Sequence, residues 1–339
     1  MINTIIQRLS LLCLILFGVL TITFYLSRCL PSSPVELMLG SKPTAEQILE
    51  AKQELGLDKP IFIQYLIFLK DAVKGDFGKS LITKQSVTKD VFLRATATFE
   101  LVTLSLLIAI SFGIPLGIKS AIQREKSIDQ ATRILAVSAV ALPIFFLGLM
   151  LQIVFSSKLG ILPLQGRIEA IILLDYPFET KTGLYLVDTV LSGNLPALKS
   201  TILHLILPAL TLSLASIATI IRITRSLMIE VLEKDFINTM KAFGVTEKKI
   251  YFHYALKATL IPLLTVIGLT YGFMLGGSII VEYIFDWPGV GGYIVHALLN
   301  NDFNAVMGAT FFIAFSYLAI NLVIDISYQF LDPRLIRNE

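Results

Sequence analysis

The sequence predicts an all-α integral membrane protein with six transmembrane helices. Of its 339 residues, 55% are hydrophobic and only 16% are charged, whereas soluble domains average about 25% charged residues. The mean hydropathy is +0.77. Six stretches without Asp, Glu, Lys or Arg approach or exceed the length that a helix needs to cross a bilayer. Each stretch is expected to be helical, because an open strand would leave backbone groups unpaired in lipid.

The predicted spans are residues 9–26, 101–118, 134–155, 203–221, 258–281 and 305–324. Pro115, Pro143, Pro208 and Pro262 fall within them, which is tolerated where neighbouring helices repair the lost hydrogen bond. The first stretch could also be read as a secretory signal. It is longer than the apolar region of such signals and no small-residue cleavage site follows it, so an uncleaved span is favoured.

Three regions are predicted along the chain. Residues 1–30 hold the N-terminus and first span, residues 31–97 form a long loop with short helices, and residues 98–339 form the core with spans two to six.

In the long loop, Thr44 and Gln47 predict a capping box that opens a helix through about Leu55. Residues 60–73 have one apolar helical face, formed by Phe62, Tyr65, Leu66, Leu69 and Val73. This segment is too short to span a bilayer, so we expect an interfacial helix or one packed on a partner.

The distribution of Lys and Arg predicts that both termini are cytoplasmic. With that orientation, the cytoplasmic segments carry fourteen Lys and Arg residues, and the two short external loops carry four. The loop before span two is too long to be counted by this rule. The net charge of +3 and the lack of a dense basic tract argue against a nucleic-acid partner.

No constellation of catalytic, cofactor-binding or metal-binding residues is predicted. The segment 73–80 approaches a phosphate-binding loop but has Val73 where the pattern requires Gly. His204, His253 and His296 have neither metal-site spacing nor acidic neighbours. The charged residues nearest to the spans are Glu100, Glu282 and Asp325. They lie near span ends, where water is close, so a structural role is favoured over a proton relay.

The loop 222–257 is the most informative segment. Residues 226–243 lack Gly and Pro and are expected to be helical, Gly244 suits a left-handed helix cap, and Thr246 can cap a second helix. Apolar side chains recur at helical spacing, at Phe236, Ile237, Met240 and Phe243. A charged helix is usually a solvated surface, but such a stripe on a hairpin favours a partner groove.

Residues 238–262 resemble the "EAA" coupling loop of permease subunits in binding-protein-dependent ABC importers. Gly244, Leu256 and the spacing between them are kept, whereas Asn238, Thr239 and Met240 replace the initial Glu-Ala-Ala. The resemblance implies that this loop docks in a cleft of an ATPase subunit. The residues that it assigns to ATPase coupling are Phe236, Asn238, Thr239, Met240, Ala242, Phe243, Gly244, Tyr254 and Leu256.

Further motifs, in the same order and over nearly the whole chain, resemble B-type permeases of dipeptide and oligopeptide importers. They include Gly75-Asp-Phe-Gly78-Lys-Ser80, Gly113-Ile-Pro-Leu-Gly117, Arg222-x-Thr-Arg225-Ser226 and Asp332-Pro333-Arg334. The stretch from Val281 to Gly291 is similar to an element near the external mouth of such permeases. Its residues are Glu282, Phe285, Trp287, Pro288, Gly289 and Gly291.

The resemblance implies a type I ABC importer permease fold and half of a translocation pathway for short peptides. It implies four kinds of partner: a second homologous permease, two ABC ATPases that bind ATP and Mg, an external substrate-binding protein, and membrane lipid. The chain itself would bind no cofactor and carry no ATPase site.

Tyr271, Phe273 and Met274 are candidate pathway residues, although a packed helix face predicts them equally well. A nickel or metal-chelate importer remains an alternative, as does an uncoupled channel or membrane enzyme.

Overall fold

The computed structural model describes residues 2–29, 44, 46–47, 49–50 and 57–331. In these ranges the regular structure is helical, apart from an isolated bridge between Lys79 and Ser86. The helices, numbered in chain order, are α1 (Ile2–Cys29), α2 (Ile61–Val73), α3 (Val87–Ile122), α4 (Ser127–Ala141), α5 (Ile144–Lys158), α6 (Ala170–Asp175), α7 (Tyr185–Leu191), α8 (Leu195–Leu232), α9 (Asp235–Ala242), α10 (Glu247–Ile284), α11 (Val290–Leu299) and α12 (Phe303–Leu331).

Five described helices, α1, α3, α8, α10 and α12, are long and apolar enough to cross a membrane. A sixth span is present if α4 and α5 are counted together. Pro115, Pro208 and Pro262 lie inside helices, as predicted. The all-α membrane fold is therefore confirmed.

The third predicted span is not a continuous helix. The axes of α4 and α5 meet at 101°, with the break at Leu142 and Pro143. Pro143 lacks a backbone N–H, and Leu142 before it takes an extended conformation with ψ 128°. The expectation that Pro143 is accommodated within a helix is wrong, because the residue preceding proline disfavours helical geometry.

Helices α3 and α8 form the centre of the bundle. Gly113 and Gly117 lie where these helices approach most closely, because an added Cβ would come within 2.7 Å of Ile220 Cγ2 and 2.7 Å of Thr224 Cβ, respectively. Small residues one helical turn apart allow such close packing in membrane helices. Helix α10 packs on this pair, and α12 packs on α10.

Helix α1 lies at the edge of the bundle, against α12. Arg8 of α1 forms an ion pair with Asp325 of α12 at 3.1 Å. Helix α2 packs on α1 through its aromatic residues, since the rings of Tyr65 and Phe68 lie 5.4 Å and 5.3 Å from the ring of Phe24.

The packed face of α2 differs from the predicted one. Phe62, Leu66 and Val73 are exposed, whereas Phe68 and Ala72 join the contact. Which face of α2 is buried depends on the position of α1, which packs against it. The periodicity of α2 alone cannot predict that position.

The predicted capping box of the long loop is present. The amide of Thr44 donates to Gln47 Oε1 at 2.9 Å, and the amide of Gln47 donates to Thr44 Oγ1 at 3.3 Å. The end of that predicted helix, near Leu55, lies outside the described residues.

The segment 73–80 follows helix α2 and not a strand. Gly75 and Gly78 both take φ +77°, so the segment is a compact turn. Ser80 Oγ donates to Asp302 Oδ2 at 2.5 Å, and the amide of Leu81 donates to the same oxygen at 2.8 Å. The turn therefore ties the chain before α3 to the turn between α11 and α12.

Helix α10 defines the two ends of the bundle. Residues 235–257, called the hairpin below, lie at its beginning, and Trp287 lies just beyond its other end. These are called the hairpin end and the Trp287 end.

Candidate functional site

The hairpin begins where α8 stops. Helix α8 ends at Leu232, and Lys234 takes an extended conformation with ψ 146° before α9 begins at Asp235. The expected continuous helix over 226–243 is therefore interrupted at Glu233 and Lys234. The interruption redirects α9, which allows Ile237 to pack back onto the bundle, where it is fully buried.

Gly244 ends α9 as the sequence predicts. Its φ is +75°, its amide donates to Lys241 O at 3.0 Å, and the amide of Val245 donates to Met240 O at 3.1 Å. These two bonds form the Schellman motif of helix C-termini. Thr246 stands before the next helix in an extended conformation, but its side chain makes no capping hydrogen bond.

The apolar stripe of the hairpin is divided between two environments. Ile237 and Met240 pack against a cluster at the hairpin base, formed by Ile118, Ala121, Met228, Val231, Ile250 and Ala255. Phe243 is 83% exposed and Phe236 is 37% exposed. The expectation that the whole stripe faces a partner is wrong for Ile237 and Met240, because α3 and α8 cover them.

The remaining hairpin candidates differ in exposure. Asn238, Thr239, Ala242 and Gly244 are exposed, and Tyr254 and Leu256 are half-buried. The free surface of the hairpin is thus a polar helix face that ends in an exposed Phe243.

An ion pair near the hairpin end joins the first turn of α4 to α8. Arg225 Nε and Nη2 donate to Asp129 Oδ1 and Oδ2 at 2.5 Å and 2.7 Å. Ser120 Oγ donates to the fully buried Asp129 at 2.6 Å, and the amide of Glu125 donates to it at 2.9 Å. Four donors therefore saturate this carboxylate and hold three elements together.

At the Trp287 end, the turn between α10 and α11 is inserted against α3. Trp287 Nε1 donates to Ala97 O at 2.9 Å, and the amide of Val290 donates to Thr98 Oγ1 at 2.8 Å. Phe285 and Trp287 are each 2% exposed. These contacts bring five of the six predicted mouth residues into one packed element, with Pro288 exposed on its surface.

Glu282 lies at the centre of this element and is fully buried. The amide of Gly292 donates to Glu282 Oε2 at 3.0 Å, whereas Oε1 has no hydrogen-bond partner among the described residues. A Cβ on Gly289 or Gly291 would overlap Glu282, so this carboxyl requires glycine at both positions. The expectation that Glu282 is close to water is wrong, because the turn folds over the end of α10.

Glu100 is also buried, contrary to the same expectation, and it pairs with Arg167. Arg167 Nε and Nη2 donate to Glu100 Oε2 at 3.0 Å and 2.6 Å, and the amide of Leu186 donates to Oε1 at 2.7 Å. The guanidinium carbon of Arg167 lies 3.8 Å from the ring centre of Tyr185 and 5.7 Å from that of Trp287. The pair thus fastens the α5–α8 connection to α3 beside the Trp287 turn.

The three possible pathway residues lie in different surroundings. Tyr271 is 4% exposed and belongs to the central core, whereas Phe273 is 86% exposed. Phe273 and Met274 line an apolar groove of about 740 Å³ with Ile144, Leu212, Gly277 and Tyr317. The groove makes Phe273 the strongest of the three candidates, and its pathway role stays a prediction.

Among the described residues, no three His, Cys, Asp or Glu side chains are grouped so that they could hold a metal ion. His204 Nδ1 lies 2.7 Å from Ser200 O, one turn away on α8. His296 packs against the ring of Tyr283, with their centres 5.9 Å apart.

Several residues that hold the two ends of the bundle together were not singled out from the sequence. Arg225 occurs in the sequence analysis only as part of a motif, and Arg167, Asp129 and Asp302 are not among the predicted site residues. Each makes at least one contact with a residue far away in the chain, so neither spacing nor periodicity could have identified that contact.

The fold defines the class of protein: a multi-span helical membrane protein with a helical hairpin at one end. The chain belongs to the family described as the binding-protein-dependent transport system inner membrane component, which matches residues 113–337. The N-terminal region of such membrane components matches residues 1–103.

Curated relatives are similar over nearly their whole length. A probable D,D-dipeptide transport system permease protein, DdpB of Escherichia coli strain K12, is 39% identical over 97% of this chain and 96% of that protein. The di/tripeptide transport system permease protein DppB of Pseudomonas aeruginosa is 37% identical over 99% of each chain. The glutathione transport system permease protein GsiC of Pectobacterium atrosepticum is 34% identical, also over 99% of each.

Proposed function

We propose that this chain is one permease subunit of an ATP-driven importer of short peptides and forms half of its translocation pathway. The observation that carries the proposal is the construction of the hairpin. Its tip presents exposed Phe243 beside Gly244, while Ile237 on the same helix is anchored in the bundle. A partner that moves the tip would therefore move α3 and α8 with it, because close-packed contacts transmit displacement.

The partners in this proposal are two ABC ATPases at the hairpin, a second homologous permease beside the bundle, and a substrate-binding protein at the Trp287 end. ATP and Mg bind to the ATPases, and membrane lipid surrounds the spans. The distribution of Lys and Arg supports a cytoplasmic hairpin and two cytoplasmic termini, in a bacterial inner membrane.

The names of the relatives support a short peptide as the solute. DdpB, DppB and GsiC are named for D,D-dipeptides, for di- and tripeptides, and for glutathione, and all of these are short peptides.

The test is co-purification of the tagged chain from its native membrane, followed by ATP-driven uptake in proteoliposomes that contain the external binding protein. We expect recovery of a second permease and two P-loop ATPases, and uptake of a labelled dipeptide in preference to nickel. Recovery of the chain without ATPases, under conditions that preserve complexes, would contradict the proposal.

Gly244→Leu makes this test specific to the hairpin, and Gly193→Leu is its matched control. Both glycines have a left-handed φ, +75° and +66°, and an added Cβ would meet nothing within 4 Å at either. The backbone strain is therefore similar, on the order of 1–2 kcal/mol. We expect only Gly244→Leu to weaken ATPase binding, while both variants remain in the membrane. Equal ATPase binding by the two variants would show that the hairpin is not the docking site.

A further inference from the structure

A second cavity lies at the Trp287 end and is bordered by the packed element described above, since Glu282, Trp287 and Gly289 are among its lining residues. Its volume is about 340 Å³, which is at the lower end of the range for small-molecule sites. Three segments of the chain form it: the loop before α3 together with α3 itself, the α10–α11 turn, and α11. Its polar lining residues include Thr83, Arg94, Asp286, Tyr293, His296 and Asn300.

Arg94 is a half-buried cation in this cavity, and no carboxylate neutralises it. Its guanidinium carbon lies 4.9 Å from the ring centre of Tyr293, which holds the side chain in place. The Nε atom is buried and has no hydrogen-bond partner among the described residues, and no ion pair to Arg94 occurs there. A partly desolvated guanidinium without an anion is costly, and a carboxylate ligand would relieve that cost.

The nearest acid on the same helix is already engaged. Asp90, one turn before Arg94, accepts hydrogen bonds from Thr83 Oγ1 at 2.5 Å and from the Tyr293 hydroxyl at 3.3 Å. These bonds connect the loop before α3 to α11 and so hold two walls of the cavity. Asp90 therefore shapes the cavity and leaves Arg94 available.

An anionic group lies on a different wall. Asp286 belongs to the α10–α11 turn, is exposed, and takes φ +45°. It forms no ion pair with a described residue. Because Trp287 and Gly289 are buried against α3 and Glu282, the turn that carries Asp286 is held in place. The cavity lining thus holds one cationic side chain, Arg94, and two carboxyl side chains, the exposed Asp286 and the fully buried Glu282. None of the three forms an ion pair with another. Asp286 is the one of the two acids that a solute can reach from outside.

We propose that this cavity is a binding site for a short zwitterionic solute, which places its carboxylate on Arg94 and its ammonium group on Asp286. The inference rests on the proposed function, because it supposes that the solute is a peptide with free termini. It adds a recognition site on the permease itself, at the Trp287 end. Arginine suits this role because its planar guanidinium pairs with a carboxylate through two parallel hydrogen bonds.

The test is equilibrium binding of radiolabelled alanyl-alanine to the importer complex in nanodiscs, without the soluble binding protein. Unlabelled alanyl-alanine, its C-terminal amide and its N-acetyl derivative serve as competitors. Arg94→Gln and Asp286→Asn each remove one charge, and asparagine tolerates the left-handed backbone at position 286. Lys89→Gln is the control, because Lys89 is an exposed cation on the same helix and does not line the cavity.

We expect Arg94→Gln to weaken binding about tenfold or more, which corresponds to loss of one charge-assisted contact. On the unmodified complex, the C-terminal amide should displace the labelled peptide about tenfold less well than unlabelled alanyl-alanine does. On the Arg94→Gln complex, the acid and the amide should displace it equally well. At the ammonium end, the N-acetyl derivative should compete poorly for the unmodified complex. Asp286→Asn should weaken peptide binding and should no longer distinguish the free peptide from its N-acetyl derivative. Lys89→Gln should bind like the unmodified complex.

Three outcomes would overturn the inference. They are absence of saturable binding, equal competition by the acid and the amide, and unchanged peptide binding by Arg94→Gln. In the third case, docking of the binding protein to the same variant is measured separately. Weaker docking would assign Arg94 to an acidic side chain of the binding protein. ATP-driven uptake in the same preparation separates the two proposals, since uptake without binding at this cavity leaves the importer function intact.

Discussion

Arg167 and Glu100 form a buried, doubly hydrogen-bonded ion pair between the α5–α8 connection and α3. The two side chains are 7% and 4% exposed, and Arg167 Nη2 also donates to Gly183 O at 2.8 Å. Because the guanidinium of Arg167 lies close to the rings of both Tyr185 and Trp287, the pair supports the same turn that carries the mouth residues.

We expect Arg167→Met to destabilise the protein by about 3–5 kcal/mol, since it leaves the Glu100 carboxylate buried without its cation. Thermal unfolding of the detergent-solubilised protein measures this. The control is Lys181→Met, which breaks an exposed pair with Glu179 and should cost under about 1 kcal/mol. Similar losses of stability in the two variants would show that burial of the Arg167–Glu100 pair does not increase its contribution to stability.

The buried carboxylate of Asp188 predicts acid sensitivity of the α5–α8 connection. Burial acts to raise the pKa of Asp188, but hydrogen bonds from the amide and hydroxyl of Thr182 and from the amide of Gly183 outweigh it. The pKa of Asp188 therefore lies below its ordinary value of 3.8.

A carboxyl with a lowered folded-state pKa contributes stability above its unfolded pKa and loses that contribution as the pH falls through the folded pKa. We expect Asp188→Asn to lower stability at neutral pH and to reduce the further loss below about pH 4. Unfolding midpoints measured across that range check this. Parallel pH curves for the variant and the unmodified protein would argue against the assignment.

The close approach of α3 and α8 predicts that Gly117→Ala is destabilising. The new Cβ would lie 2.7 Å from Thr224 Cβ and 2.9 Å from Ile221 O, so the two backbones would have to separate. Overpacking of this kind costs about 1–3 kcal/mol. Gly18→Ala in α1 is the control, because its Cβ would meet nothing within 4 Å. Thermal unfolding should show a loss for Gly117→Ala only, and a loss of the same size at both sites would contradict the packing argument.

The divided stripe of the hairpin predicts two different phenotypes. Phe243→Ala removes an exposed side chain and should weaken ATPase binding with little change in thermal stability. Ile237→Ala removes a fully buried side chain and should destabilise the protein by about 2–5 kcal/mol. Affinity for the ATPases and the unfolding midpoint, measured on both variants, separate the roles. A stability loss at Phe243→Ala comparable to that at Ile237→Ala would contradict the division.

The sequence alone determined the five continuous spans, the hairpin and its glycine. A span is a property of one contiguous apolar stretch, and the left-handed cap at Gly244 depends on a few neighbouring residues. Such features need no knowledge of the rest of the fold. The motif that contains Glu282 and Trp287 was also found, because its residues are close together in the chain.

Only the tertiary structure decided which of these residues act together. Glu100 and Arg167 are 67 positions apart, Asp129 and Arg225 are 96 apart, and Ala97 and Trp287 are 190 apart. The burial of Ile237 and the exposure of Phe243 likewise depend on where α3 and α8 lie. The physical reason is the same in each case: the energy of a buried contact depends on what packs around it, and the local sequence does not specify those neighbours.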